Sequence, residues 1–209
     1  MSARALHFSP SDDREELARA EIYGLLSQLF YAPPDPTLYG QLQVAPTVAP
    51  APGAFLESSW TDLVGTARRL GIDEAAAEHA ALFVSIGKPE IFLYGSHHLV
   101  GALNEKPLVV LRDTLGQIGL VRASTMIETE DHFAYLCEVM RYLIAGDDLA
   151  TSNLASQQHF FNAHLRPWAD AMFEQIAVHP RADFYRALSL FARDFFSVEA
   201  QAFDLLDAA

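Results

Sequence analysis

The sequence predicts an all-α fold, a bundle of roughly eight to ten helices, and three observations carry that prediction. Apolar residues recur at three- and four-residue spacing through most of the chain. Capping residues, prolines and glycines punctuate those runs. No segment alternates apolar and polar positions with the β-branched enrichment of a strand. With 209 residues, 51% of them hydrophobic, the chain can bury a substantial core. It reads as a single domain over 1–209, with two lobes at 12–146 and 151–207 joined by a hinge at 146–150.

The first helix runs from Asp12, with Glu15 in capping-box spacing, and ends before Pro33; Leu17, Ile22, Leu25, Leu26, Leu29 and Phe30 form its apolar side. Pro33, Pro34, Pro36, Pro46, Pro50 and Pro52 then argue for a long, partly extended connection. A second helix spans about Ala54 to Leu70 with Gly71 as its stop, and Asp73 caps a third that closes at Gly87. Lys88 to Lys106 reads as a buried or ligand-lining connection, and Pro107 suits the first turn of a helix ending at Gly119. Beyond the polar break at Gly146, Asp147 and Asp148, Thr151 caps a helix to Leu165, followed by Pro167 to Val178, Pro180 to about Phe196, and a short final helix.

The most informative stretch is Glu128 to Gly146. Its chemistry predicts one helix, with Thr129 as N-cap, Glu130 and Asp131 in the first turn, and Gly146 as a left-handed stop. Phe133, Leu136, Cys137, Met140, Leu143 and Ile144 form an apolar stripe that must face a core. Asp131, Tyr135, Glu138 and Tyr142 follow i, i+4, i+7, i+11 and place carboxylates and phenol rings on another side, with His132 beside them. Two readings of this face stand open: a solvated surface with local pairing to Arg141, or a cation-binding strip. Carboxylates among aromatic rings suit a guanidinium, which takes in-plane hydrogen bonds and stacks on a ring.

Charge narrows the partners. Against 14 basic residues stand 27 acidic ones, a formal charge of -13, and only Lys88 and Lys106 are lysines. Such a field repels nucleic acid and anionic membrane and attracts a basic partner. Cys137 is the single cysteine, which excludes an intrachain disulfide and fits a reducing cytosol. The first residues lack the apolar run of a signal peptide, and no eighteen-residue apolar stretch occurs, so a soluble cytoplasmic chain without membrane insertion is expected. Phosphate-binding glycine loops, the GxSxG elbow and HExxH are all missing. The residues supply no catalytic constellation, and no metal or cofactor is expected.

Three stretches together resemble the TorD/DmsD/NarJ family of cytoplasmic, molybdoenzyme-specific chaperones. The family's E-P-x-D-H segment, followed by a glutamate and a methionine, is matched by Glu128, Glu130, Asp131, His132, Glu138 and Met140, with Thr129 in place of the proline. An upstream segment is matched by Tyr94, Ser96, His97, Leu99 and Gly101, and a later one by His164, Leu165, Pro167 and Trp168. The resemblance implies a protein that binds the twin-arginine signal peptide or apo form of a molybdenum-cofactor oxidoreductase. It would assist cofactor insertion and delay Tat export. It implies Glu128, Asp131, His132, Glu138, Tyr94 and Ser96 as peptide-contact residues. Weak guanine nucleotide binding, and a monomer or domain-swapped dimer, are further family implications. Two rivals are weighed beside it: a helical metal-dependent enzyme using Glu128, Asp131 and His132, and a scaffold that recognises only the mature client surface.

Overall fold

The computed structural model describes residues 10–48, 56–84 and 87–207, with side chains from 14 to 206 within those ranges. Among them are ten helices and no strand. In chain order these are α1 (Pro10–Tyr31), α2 (Pro36–Val44), α3 (Glu57–Arg69), α4 (Ile72–Phe83), α5 (Gly95–Val100), α6 (Lys106–Gln117), α7 (Phe133–Ala145), α8 (Leu154–His164), α9 (Ala169–Ala177) and α10 (Phe184–Asp207).

The most extensive packing joins α1 to α7. They run antiparallel, since Tyr31 meets Tyr135 near one end while Gly24 lies against Arg141 further along. Leu26, Leu29 and Phe30 of α1 and Leu136, Cys137, Met140 and Leu143 of α7 are buried in that seam, as their helical spacing predicts. Burial raises the Cys137 thiol well above its ordinary pKa and leaves it a small apolar side chain. On the other side α10 packs on α9, α3 and α4. Phe133, the first residue of α7, ties the layers together: its ring meets Phe30 edge-on at 5.1 Å, Phe173 at 5.5 Å and Trp168 at 6.1 Å.

Two carboxylates are built into this frame. Glu199 of α10 accepts both Arg19 Nε at 2.7 Å and Nη2 at 2.8 Å, plus the Tyr23 hydroxyl at 3.1 Å, which fastens α10 to α1. Glu78 of α4 accepts the N–H groups of Asp183, Phe184 and Tyr185 at 2.8, 2.9 and 2.7 Å, a cap for the start of α10 supplied from another helix.

Several local expectations are corrected. The proline-rich connection contains α2, because Asp35 accepts the N–H groups of Thr37 and Leu38 and Pro36 stands at the first helical position, where proline is tolerated. Gly71 is extended and begins α4 rather than stopping α3 in the left-handed region. Gly146 is extended too, at φ -74° and ψ 151°. Glycine is needed there for closeness, since a Cβ would stand 2.3 Å from Ser152 Oγ and 2.6 Å from the Tyr142 carbonyl oxygen. Asn153, not Thr151, caps α8, with its Oδ1 accepting the Ser156 N–H. α10 is one continuous helix of 24 residues to Asp207 and takes in the stretch expected of a short final helix. Within the 88–106 connection lies the short helix α5. Parts of the expected second and third helices, at Ala54, Phe55, Ser85 and Ile86, lie outside the described residues, as do the side chain of Asp12 and hence its capping box.

Candidate functional site

Residues 128–132 do not extend α7 backwards as their cap chemistry predicts. They form a strap beside residues 93–95. The Phe133 N–H donates to the Leu93 carbonyl at 2.7 Å and the Gly95 N–H to the Asp131 carbonyl at 2.9 Å, so Tyr94 and His132 form an isolated antiparallel bridge. Burial of Phe133 and Leu93 pins this pairing from beneath. His132 therefore takes the N-cap place expected of Thr129, with Nδ1 accepting the Ala134 N–H at 3.2 Å. Burial pushes the His132 ring down to a pKa of about 4, against the pull of Glu128 and Asp131, and it is neutral at pH 7.

The strap's carboxylates have different fates. Asp131 is buried, and its Oδ2 accepts both the N–H of Ser96 at 2.9 Å and the Ser96 hydroxyl, while Oδ1 accepts the Thr129 hydroxyl at 2.6 Å. It serves as a cap for α5 from a distant part of the chain, and Ser96 is fully buried beneath it. Glu130 takes a two-pronged ion pair from Arg112 at 3.0 and 2.8 Å. Burial opposes ionisation of Glu130, yet the Arg112 hydrogen bond and charge hold its carboxyl below the ordinary value. Glu128 is only half-buried, and its Oε2 accepts the hydroxyl of Tyr94.

Aromatic rings cluster around His132, with Tyr94 reaching Glu128. Tyr94 meets His132 edge-on at 5.0 Å, Tyr135 lies 5.8 Å from His132, and Tyr31 lies 5.4 Å from Tyr135, whose hydroxyl bonds to that of Tyr31 at 3.3 Å. Tyr31 is 43% exposed. Burial and the Tyr31 hydrogen bond push the Tyr135 phenol up to about 12, with the Glu128 charge adding to the shift. For Tyr94, burial and then Glu128 raise the phenol further. Both are protonated, with hydroxyls able to donate. One turn along α7, Glu138 is partly exposed and pairs with Arg141 at 3.0 Å. Tyr135, Glu138 and Tyr142 do share α7, whereas Asp131 lies off the helix.

Of the six predicted residues, the strap thus gathers Glu128, Tyr94, His132, Asp131 and Ser96, with Asp131 and Ser96 beneath the surface and Glu138 further along α7. Sequence reasoning overlooked Tyr31. Its one local signal is an aromatic side chain just ahead of Pro33 at the end of a helix. Its approach to Tyr135 depends on how α1 packs against α7.

The three motif stretches converge here. Trp168 lies flat against His98 with centroids 5.3 Å apart, and its indole presses on Gly95, where a Cβ would stand 3.0 Å from Nε1. Any side chain at Gly95 would push on that ring by a few tenths of an ångström.

The strap thus sets a half-buried carboxylate beside a phenol hydroxyl within an all-helical frame. Among the described residues no three His, Cys, Asp or Glu side chains gather as a metal-ligand set, and no helix is long and apolar enough to cross a membrane. Residues 51–174 match the model of the nitrate reductase delta subunit family. The chaperone protein TorD of Vibrio cholerae is 28% identical over 204 residues, spanning 90% of this chain and 93% of that protein. A crystal structure described as a redox enzyme maturation protein from Archaeoglobus fulgidus shares the fold with a TM-score of 0.57 at 16% identity, over 93% of this chain and 99% of its own. The chain belongs to the nitrate reductase delta subunit family, that of the TorD/DmsD/NarJ chaperones. It is a chaperone of redox enzyme maturation and not an enzyme.

Proposed function

We propose that the chain serves one molybdenum-cofactor oxidoreductase in the cytoplasm, binding its twin-arginine signal peptide, assisting cofactor insertion into the apo form and delaying Tat export until folding is complete. The observation that carries this reading is Glu128, half-buried in an acidic protein, with its carboxylate on the Tyr94 hydroxyl and its charge felt by Tyr135, which Tyr31 joins from α1. A carboxylate beside phenol rings gives a guanidinium both a hydrogen-bonding partner and a face to stack on. In this proposal Glu128, Tyr94 and Glu138 contact the peptide. Asp131, Ser96 and His132 act as positioning residues that hold the strap. Guanine nucleotide binding forms no part of it. Exchange of the segment after 146–150 between two copies is a separate proposal, which light scattering at high concentration tests by the presence or absence of a dimer.

Recognition of the mature client surface is a second reading, favoured by the exposed Leu99, Val100, Val109 and Val110 on α5 and α6. Pull-down of a client with and without its signal peptide separates the two. Loss of binding on deletion supports the signal-peptide reading, and full retention supports the second. Calorimetric titration with twin-arginine peptides from candidate clients, each paired with a Lys-Lys version, then identifies the client class.

A further inference from the structure

The strap carries three carboxylates, and each is met by a different kind of group. Glu128 receives the phenol hydroxyl of Tyr94, and Asp131 receives the N–H and hydroxyl of the fully buried Ser96 together with the Thr129 hydroxyl. Glu130 is met by a guanidinium: Arg112 of α6 donates from Nε to Oε1 at 3.0 Å and from Nη2 to Oε2 at 2.8 Å. This two-pronged grip is the geometry in which any arginine holds a carboxylate best. The strap therefore already holds, from its own chain, the chemical group that the proposed ligand brings.

The pair is placed for exchange. The Glu130 side chain is 9% exposed and that of Arg112 47%, so the acid is anchored in the strap while the base reaches it from the solvent side. Releasing a half-exposed guanidinium costs little when another replaces it, because the carboxylate is never left unpaired. Arg122 donates to the Met126 and Ile127 carbonyls at 2.7 and 3.2 Å, and its charge also favours the ionised form of Glu130. Asp131 offers no such exchange, since two of its bonds come from buried Ser96. Glu128 and Glu130 are two residues apart, at most ~7 Å between Cα atoms, and adjacent arginines start ~3.8 Å apart on long side chains. One arginine pair is long enough to span both glutamates.

We infer that Arg112 is a built-in competitor for Glu130, displaced only by the second of two adjacent arginines, so that the free protein selects paired arginines over single ones. The inference rests on the signal-peptide reading and adds to it a residue that sets specificity. A lone arginine settles on Glu128 and leaves the Arg112 pair intact. With two, the first is held at Glu128, and the second then meets Glu130 at an effective concentration comparable with that of Arg112 itself.

The test is calorimetric titration of the full chain at about 0.15 M salt, which screens long-range charge effects. One synthetic peptide carries an arginine pair, and in the other the second arginine is glutamine. The protein variants are Arg112→Gln, Glu130→Gln and the two combined, each checked for wild-type helicity by circular dichroism. Arg112→Gln is expected to strengthen binding of the arginine pair about three- to fivefold. The single-arginine peptide is expected to gain no more than about twofold, the statistical effect of a second free carboxylate. In the Glu130→Gln background the same change is expected to bring the arginine pair no preferential gain. In wild type, the Nε–H NMR signal of Arg112, identified by its loss in Arg112→Gln, is expected to shift on saturation with the arginine pair and to stay in place with the single arginine. Unchanged or weakened binding of the arginine pair by Arg112→Gln overturns the inference and leaves the signal-peptide reading standing. So does a gain equal for both peptides, a preferential gain retained without Glu130, or an Arg112 signal that does not distinguish the peptides. Failure of wild type to bind either peptide overturns both.

Discussion

Glu199 on α10 and Glu128 in the strap before α7 are both carboxylates met by a tyrosine hydroxyl, yet they have opposite consequences. Glu199 is 2% exposed, and Arg19 and Tyr23 take both of its oxygens, so its charge is neutralised within the fold. Glu128 is half-buried, receives one hydroxyl and stands among rings that reach the surface. The strap repeats the contrast on a smaller scale, since Asp131, three residues on, is saturated by Ser96 and Thr129. Whether a carboxylate stabilises the fold or remains available to a ligand depends on whether tertiary partners reach both oxygens.

The contrast is sharpest in stability. Glu199→Ala leaves the guanidinium of Arg19 without its buried partner and is expected to cost about 3–5 kcal/mol, read from the urea midpoint. Asp131→Ala removes the acceptor for two buried Ser96 donors and is expected to cost about 2–3 kcal/mol by the same measurement. Glu128→Gln should stay within about 0.5 kcal/mol of wild type while weakening arginine-peptide binding about tenfold. A Glu128→Gln loss as large as that of Asp131→Ala would break the comparison.

The pH dependence follows from the neutral His132. Its folded pKa of about 4 lies below the ordinary 6.5, so on acidification the unfolded state takes up the proton first. The stability contributed by the neutral ring is complete above pH 6.5 and is lost as pH falls toward 4, at up to about 1.4 kcal/mol per pH unit. Urea midpoints at pH 7, 6 and 5 are expected to fall in that order, with a shallower fall for His132→Gln. The smallest effect is expected at the exposed Glu138–Arg141 pair, where Glu138→Ala should cost about 0.3–0.5 kcal/mol.

Much of the frame was legible because its signals are local. The α7 stripe from Phe133 to Leu143 is buried as its spacing requires, and Pro107 and Gly119 bracket α6. The strap was not legible, because the cap chemistry of Thr129, Glu130 and Asp131 is the same whether they start a helix or pair with a distant segment. Pairing with Leu93 and Gly95, and the partners Ser96 and Arg112, come from elsewhere in the chain. The site was accordingly legible as a set of residues and not as an arrangement. Glu128 and Asp131 look equivalent in sequence, and packing separates them. Gly146 illustrates the same limit: its glycine is required by Ser152, six positions on, rather than by a positive φ.

The most direct measurement is a double-mutant cycle between protein and peptide. Glu128→Gln and Asp131→Asn are each titrated against a twin-arginine peptide and its Lys-Lys version. Coupling of about 1 kcal/mol or more between Glu128 and the arginines, with additive effects at Asp131, is the expected result. Coupling at Asp131 with none at Glu128 would contradict the assignment of Glu128 as the carboxylate that meets the peptide.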